Sequence, residues 1–408
     1  MNILIVGNLY PPFIFGGYEI LCQQVVEEFK ARGHNVHVLT SDYGLDFAPA
    51  SVQNEIGITR SLRLTTSFPR PGENVGFVDF RLSSIQRIAA ENFEQTTKCI
   101  SEMTFKPDIV FCWCLNRLSL GPVFAAKKLS IPAAYTINDE HPKQFRFAEK
   151  PSGIREILRF LAEKMLYPMA TLRYAGKFPV TIISRALKNS LLRQQVPIEH
   201  AEIIYQGIPV SNMAFETAAL NSGSKFKVLY AGQISRVKGV HTIIKALGSI
   251  RKRSPEFDIG LTILGSGVPD YRAELEKLVQ DYNLHNSVEF KGKVAHSEIA
   301  YFHHSHHCFV FSSEWEEPFG LTHLEAMAYG NPVISTTTGG SAELIKNEIN
   351  ALAYTAGNAE ELSDKLLILF NNNDYRMKLA RSARKYAEDY HSLSVYVSNL
   401  EKFLHRRL

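Results

Sequence analysis

The sequence predicts an α/β protein built as two consecutive domains of parallel sheet and crossover helix. Three observations predict it. The chain has 408 residues, too many for one hydrophobic core. Short apolar runs alternate with helical stretches through its front half. The same alternation restarts at Lys227, after a polar segment rich in turn residues.

In the front half, residues 3–7, 36–40, 109–112, 133–137 and 180–184 read as strands, and residues 18–32 and 117–129 as helices. In the back half, residues 228–231, 259–264, 288–290, 308–311 and 333–335 read as strands, with helices at 239–251 and 271–282. Both halves are therefore expected to be Rossmann-type domains. The break is expected near residues 207–224, where Ser211, Asn212, Asn221, Ser222, Gly223 and Ser224 give a hinge composition. One last amphipathic helix is expected from about Arg376 to Leu404. Parallel sheets bind ligands beyond the carboxyl ends of their strands, which directs attention to residues 8–17, to 138–142 and to Ser184.

Composition narrows the function. Hydrophobic residues make up 45% of the chain, as in a globular protein. No run of about 18 apolar residues suggests a membrane span. Residues 1–6 read as a buried first strand, not a secretion signal. The net charge of +4 lies entirely in residues 1–206, with 23 basic against 19 acidic side chains. So mild an excess asks for no nucleic acid. Five cysteines in no disulfide-like pattern suit a reducing cytosol, and Cys112 and Cys114 read as small core residues before metal ligands. His303, His304, His306 and His307 form two adjacent pairs that point apart, a poor cage for zinc.

The most telling stretch is residues 317–325, with two carboxylates eight positions apart around a helix start. A helix is expected from Gly320 to Tyr329, stopped by Gly330 and Pro332. Phe319, Gly320, Leu321 and Thr322 would then offer unpaired amides to a phosphate. Glu325 falls one turn inside, on the face of Leu321 and Ala328. A carboxylate there needs a partner, either a buried cation or donors such as sugar or ribose hydroxyls. Glu317, just before the helix, would serve a second polyol. The spacing outlines a nucleotide sugar.

These residues resemble the retaining glycosyltransferases of the GT-B fold, in the large family four, over nearly the whole length. The family's E-x7-E motif falls on Glu317, which the resemblance places at the sugar, and Glu325, which it places at the ribose. Its G-R-x4-K-G loop falls on Gly232, Lys238 and Gly239, with Gln233 in place of the usual Arg and Arg236 as a displaced substitute. Gly265, Val294 and residues 338–343 match segments lying along the nucleotide. In the front domain Gly16 and Gly17 match the loop that closes over the donor from across the cleft. Asn138, Asp139 and His141 match an acceptor-side segment that commonly carries His-Asp, with Asn138 at the His position.

The resemblance implies a GT-B protein whose two Rossmann-like domains face each other across a cleft. Residues 1–206 would bind acceptor, residues 207–385 donor, and a helix of about 386–408 would pack back on the first domain. It implies catalytic roles for Glu317, Lys238, Arg236 and Asp139. The donor would be a nucleotide-diphosphate sugar, UDP-glucose by family frequency, with no cofactor. No Asp-x-Asp occurs, so no metal is expected; helix amides and cations would hold the diphosphate. The acceptor would be a glycan or a lipid-linked sugar. Residues 143–177 carry eight basic against three acidic side chains, with Phe145, Phe147, Ile154, Ile157, Leu158, Phe160, Leu161, Met165 and Leu166. They suit either the inner face of an anionic membrane or packing on their own sheet. Rival readings are a GT-B nucleotide-sugar epimerase and an inactive nucleotide-sugar binder.

Overall fold

The computed structural model describes residues 1–53, 55–66, 68, 81–144, 153–166, 169, 179–221 and 223–408. The chain forms two compact units. The first comprises residues 1–183, 187–204 and 397–408; the second comprises 184–186 and 205–396.

The first unit holds a seven-stranded sheet in the order β3-β2-β1-β4-β5-β6-β7. Its strands are β1 (Asn2–Val6), β2 (Asn35–Ser41), β3 (Ile58–Leu62), β4 (Ile109–Cys112), β5 (Ala133–Ile137), β6 (Val180–Ile182) and β7 (Glu202–Ile203). Every pairing is parallel. Strands covered on both faces read as continuous apolar runs, which is why β1 and β4 were legible. Helix α1 (Gly17–Ala31) buries Leu21, Cys22, Val25, Val26 and Phe29 along one face.

Two first-unit elements have no such signature. Strand β3 carries Thr59, Arg60 and Ser61 in its middle. Helix α2 (Leu82–Glu102) is rich in Ser, Gln, Thr and Asn. It buries Asn92 and Thr96 completely. Asn92 is satisfied by the Arg63 N–H at 2.7 Å and the Leu118 carbonyl at 2.5 Å. The helix expected from Arg117 starts later, as α3 (Gly121–Lys128), because Arg117 and Ser119 have φ of 65° and 71° and Pro122 sets the first turn.

The second unit holds a six-stranded sheet in the order β10-β9-β8-β11-β12-β13. Its strands are β8 (Phe226–Ala231), β9 (Ile259–Leu264), β10 (Val288–Gly292), β11 (Cys308–Phe311), β12 (Val333–Thr336) and β13 (Leu352–Tyr354), again all parallel. Helices α5 (Val240–Arg253), α6 (Pro269–Asp281) and α7 (Leu321–Tyr329) belong to it. Its core joins Val228, Ile243, Leu247, Leu261, Ile263, Leu275, Val310 and Leu366.

The expected last helix is two helices, α8 (Asn373–His391) and α9 (Leu393–His405). Ser392 breaks them at ψ 150°, where it bridges Ile208 and the Leu393 N–H donates to the Ile208 carbonyl at 2.6 Å. Residues 397–408 belong to the first unit. There Glu401 lies 2.6 Å from His34, and Arg32 donates to Ser398 at 2.8 Å.

Candidate functional site

The strand order of the second unit reverses between β8 and β11, and in open parallel sheets ligands bind beyond the carboxyl ends of the strands at such a switch point. Lys238 follows β8 and Glu317 follows β11. Their side chains form an ion pair there. Glu317 is buried and also accepts from the Ser313 hydroxyl at 2.6 Å.

The loop carrying Glu317 is clamped on both sides. On one side the Glu314 N–H donates to the Val237 carbonyl at 2.8 Å, and the Ser312 hydroxyl to the Lys238 carbonyl at 2.8 Å. On the other the Gly340 N–H donates to the Glu317 carbonyl at 2.6 Å. A Cβ on Gly340 would stand 2.2 Å from the Pro318 carbonyl oxygen, so only glycine admits this approach.

Gly320 caps α7 with φ of 110°, a left-handed conformation that glycine tolerates. Among the described residues, the backbone N–H groups of Phe319, Gly320, Leu321 and Thr322 donate to nothing, and no side chain caps the helix. Phe319 is buried and stacks on Tyr205 at 5.8 Å. Leu321 and Thr322 are half-buried.

Glu325 lies one turn further in, half-buried, and among the described residues its carboxylate has no hydrogen bond or ion pair. Burial pushes that carboxyl up to about 7. A carboxyl so placed has room to accept hydrogen bonds that no described residue supplies. The cation that an ordinary core would supply is not among the described residues.

Other predicted residues fall elsewhere. Arg236 pairs with Glu274 on α6 and lies 5.6 Å over the Tyr271 ring, whereas Lys238 pairs with Glu317. Gly265 and Gly232 pack against each other: a Cβ on Gly265 would sit 1.8 Å from the Gly232 carbonyl oxygen. These glycines join two loops. Val294 is half-buried in the loop after β10.

Sequence reasoning missed His323. It is fully buried, its Nδ1 is 3.0 Å from the Gly320 carbonyl and its Nε2 is 2.7 Å from the Ser335 hydroxyl. Burial pushes its imidazole down to about 4, so it braces the cap as a neutral ring. The four clustered histidines are engaged singly, His303 by Asn331, His304 by the Ala214 carbonyl, His306 by Thr262 and His307 by the Lys227 N–H.

The remaining predicted residues lie in the first unit. Gly16 caps α1, and the Glu19 carboxylate accepts its N–H at 2.9 Å; open space surrounds both Gly16 and Gly17. Asn138 donates to the Tyr18 hydroxyl and to the Thr136 carbonyl at 3.2 Å. His141 is buried with Nδ1 on Asp139 and Nε2 on the Tyr135 hydroxyl. Burial raises the Asp139 carboxyl, and the charge and hydrogen bonds of His141 outweigh it, holding the group below its ordinary value. Asp139 and His141 thus form a folded brace. Phe145 and Phe147 lie outside the described residues.

Comparison with known proteins bears on the family and the fold. The family model for Glycosyltransferase Family 4 matches residues 15–212, and that for Glycosyl transferases group 1 matches residues 214–386. D-inositol 3-phosphate glycosyltransferase of Paenarthrobacter aurescens is 34% identical over 167 residues, which is 40% of this chain and 40% of that protein. An uncharacterized glycosyltransferase of Methanocaldococcus jannaschii is 24% identical over 94% of this chain and 93% of its own. Among solved structures, HepE of Anabaena in complex with UDP superposes with a TM-score of 0.70 at 19% identity over the full length of both chains. Sucrose-phosphate synthase of Thermosynechococcus elongatus does so with 0.70 at 20% identity, over 99% of this chain and 98% of that one. Two parallel-sheet Rossmann-like domains with such neighbours define the GT-B fold. The chain belongs to the group 1 glycosyltransferases.

Proposed function

We propose that the chain transfers a hexose from a nucleotide-diphosphate sugar, UDP-glucose first among candidates, to a hydroxyl of a glycan or lipid-linked acceptor, without a metal and with retention of configuration. One observation carries the donor half: the unpartnered Glu325 stands one turn inside a helix whose first amides are free, beside the Lys238–Glu317 pair. Ribose hydroxyls would complete Glu325, the amides of Leu321 and Thr322 would take the diphosphate, and Glu317 would take the sugar. HepE has been solved with UDP-glucose, a donor of this class.

In the reaction the acceptor oxygen bonds to the anomeric carbon while the bond from that carbon to the β-phosphate oxygen breaks. The acceptor proton leaves with the nucleoside diphosphate. Charge grows on that phosphate, where helix amides and Lys238 would stabilise it. Arg236, held by Glu274, would contribute only if that surface pair opened, at a modest cost. Asp139 would act by fixing His141.

Incubation with UDP-sugars, chelator and no acceptor tests the reading. Slow UDP release supports a transferase. Interconversion of the sugar would make it an epimerase, and binding with neither outcome would make it an inert binder.

A second observation favours a membrane-bound acceptor. Helix α4 (Ile154–Leu166) exposes Ile154, Ile157, Leu158, Leu161, Met165 and Leu166, a stripe at helical spacing. It would lie on the cytoplasmic face of an anionic membrane. No helix among the described residues is long and apolar enough to cross one.

A further inference from the structure

The six-stranded sheet of the second unit ends at β10, which has β9 on one side and no described strand on the other. The Leu261 N–H of β9 donates to the Ser287 carbonyl at 2.7 Å, and Val288 is in register with Leu261. Backbone groups alternate in direction along a strand, so those of Glu289 face β9 and those of Phe290 face outward. Among the described residues, nothing takes the Phe290 N–H or its carbonyl. The other edge of the same sheet is closed. Strand β13 has only three residues, and the Asn347 side chain accepts the Ala353 N–H at 2.8 Å. A short strand with a side-chain cap recruits no neighbour. Strand β10 has five residues and no proline.

Both faces of this edge have room. Side chains alternate along β10, which puts Glu289 and Lys291 on one face and Val288 and Phe290 on the other. On the first face a hollow of about 500 Å³ is lined by Thr262, Glu289, Lys291 and Tyr301. On the second a hollow of about 500 Å³ is lined by Lys277, Gln280, Val288 and Phe290. There the Arg272 guanidinium of α6 lies 3.5 Å over the Phe290 ring and holds it in place. A further strand laid along β10 would set its own alternate side chains into the two hollows.

The charges select the occupant. A charged side chain on an edge strand normally protects it, because like signs repel across a pairing. Glu289 and Lys291 have opposite signs, are both exposed and pair with each other at 2.6 Å. A second β10, antiparallel about a two-fold axis at Phe290, brings Glu289 opposite Lys291 of the copy, and does so twice. The four charges then alternate in sign around the axis. Phe290 stands opposite its own copy, each N–H donating to the other carbonyl, and the two rings form a cross-strand aromatic pair. Val288 faces Gly292, which has open space around it. The edge complements itself, as a two-fold contact requires.

We propose that the chain forms a two-fold dimer by antiparallel pairing of β10 with β10 of a second copy, joining two six-stranded sheets into one. The contact involves no residue assigned to the transfer reaction, so it stands or falls apart from that reading.

Sedimentation of the full chain tests it. Wild type should be a dimer at about 100 μM, a concentration that fills interfaces of ordinary size. Glu289→Lys and Lys291→Glu each put like charges opposite one another at both ends of the pairing, and each should weaken the dimer about ten-fold or more. An equimolar mixture of the two variants restores opposite signs at every position and should dimerise like wild type. So should the chain carrying both substitutions. Amide exchange reads the same contact without any substitution: the Phe290 N–H should be protected in the dimer and released on dilution. A monomeric wild type, a dimer indifferent to both reversals, reversed chains that mixing does not rescue, or a Phe290 amide whose exchange ignores dissociation would each overturn the proposal.

Discussion

Glu325 is the residue whose environment and purpose conflict most plainly. Burial raises its carboxyl from 4.5 to about 7, so the folded chain holds that proton more firmly than the unfolded chain. Stability therefore falls as pH rises between those values, and the loss is complete above about pH 8. Glu325→Gln removes the loss. Variant and wild type should melt alike near pH 4.5, and the variant should be the more stable at pH 8, by at most about 3 kcal/mol. The same change should weaken UDP binding by about ten-fold or more, through the lost charge-assisted hydrogen bonds. Paired melting curves and calorimetric titrations check both signs. The two glutamates and Lys238 were legible because each sits at a fixed offset from a strand end or a helix start. The pairing of Arg236 with Glu274 and the bracing of His323 by Ser335 were not. Each joins residues far apart in sequence, and no local period betrays it.

At the scale of elements, loops of the second unit approach one another closely because glycine permits contacts that any side chain would block. Gly265 has φ of 128° and its missing Cβ would lie 1.8 Å from the Gly232 carbonyl oxygen. Gly265→Ala should destabilise the chain by about 3 kcal/mol, from overpacking added to backbone strain. Chemical denaturation measures it, and a loss under about 1 kcal/mol would show that the two loops are free to part. Helix α4 gives the second prediction at this scale. Leu158→Glu, on its exposed stripe, should abolish flotation with anionic vesicles and leave the melting temperature within about 2 °C. Unchanged flotation would remove the membrane from the account. Buried parallel strands announced themselves as apolar runs, whereas β3 and α2 are polar in composition and are ordered by contacts such as Asn92 with Leu118. The break at Ser392 was likewise hidden, since both flanking segments keep a helical period and only the bridge to Ile208 interrupts them.

The whole molecule is two units, each with its own parallel sheet and its own switch point. That plan was visible in the restart of the strand–helix alternation, because each doubly wound sheet repeats the same burial problem. The allocation of residues 184–186 to the second unit was not, because it depends on which surface the segment touches; that of the C-terminal helix came from the family resemblance, which put about 386–408 with the first domain where the structure puts 397–408. At this scale donor chemistry reads as linkage: a nucleotide sugar present at 100 times its Kd should stabilise the folded chain by about 2.7 kcal/mol, and a panel scored by thermal shift would identify it. The most direct measurement is a crystal structure with UDP. The account predicts phosphate oxygens within hydrogen-bond reach of the Leu321 and Thr322 amides, and a ribose hydroxyl on Glu325. Phosphates bound elsewhere, or a Glu325 that remains without a partner, would contradict it.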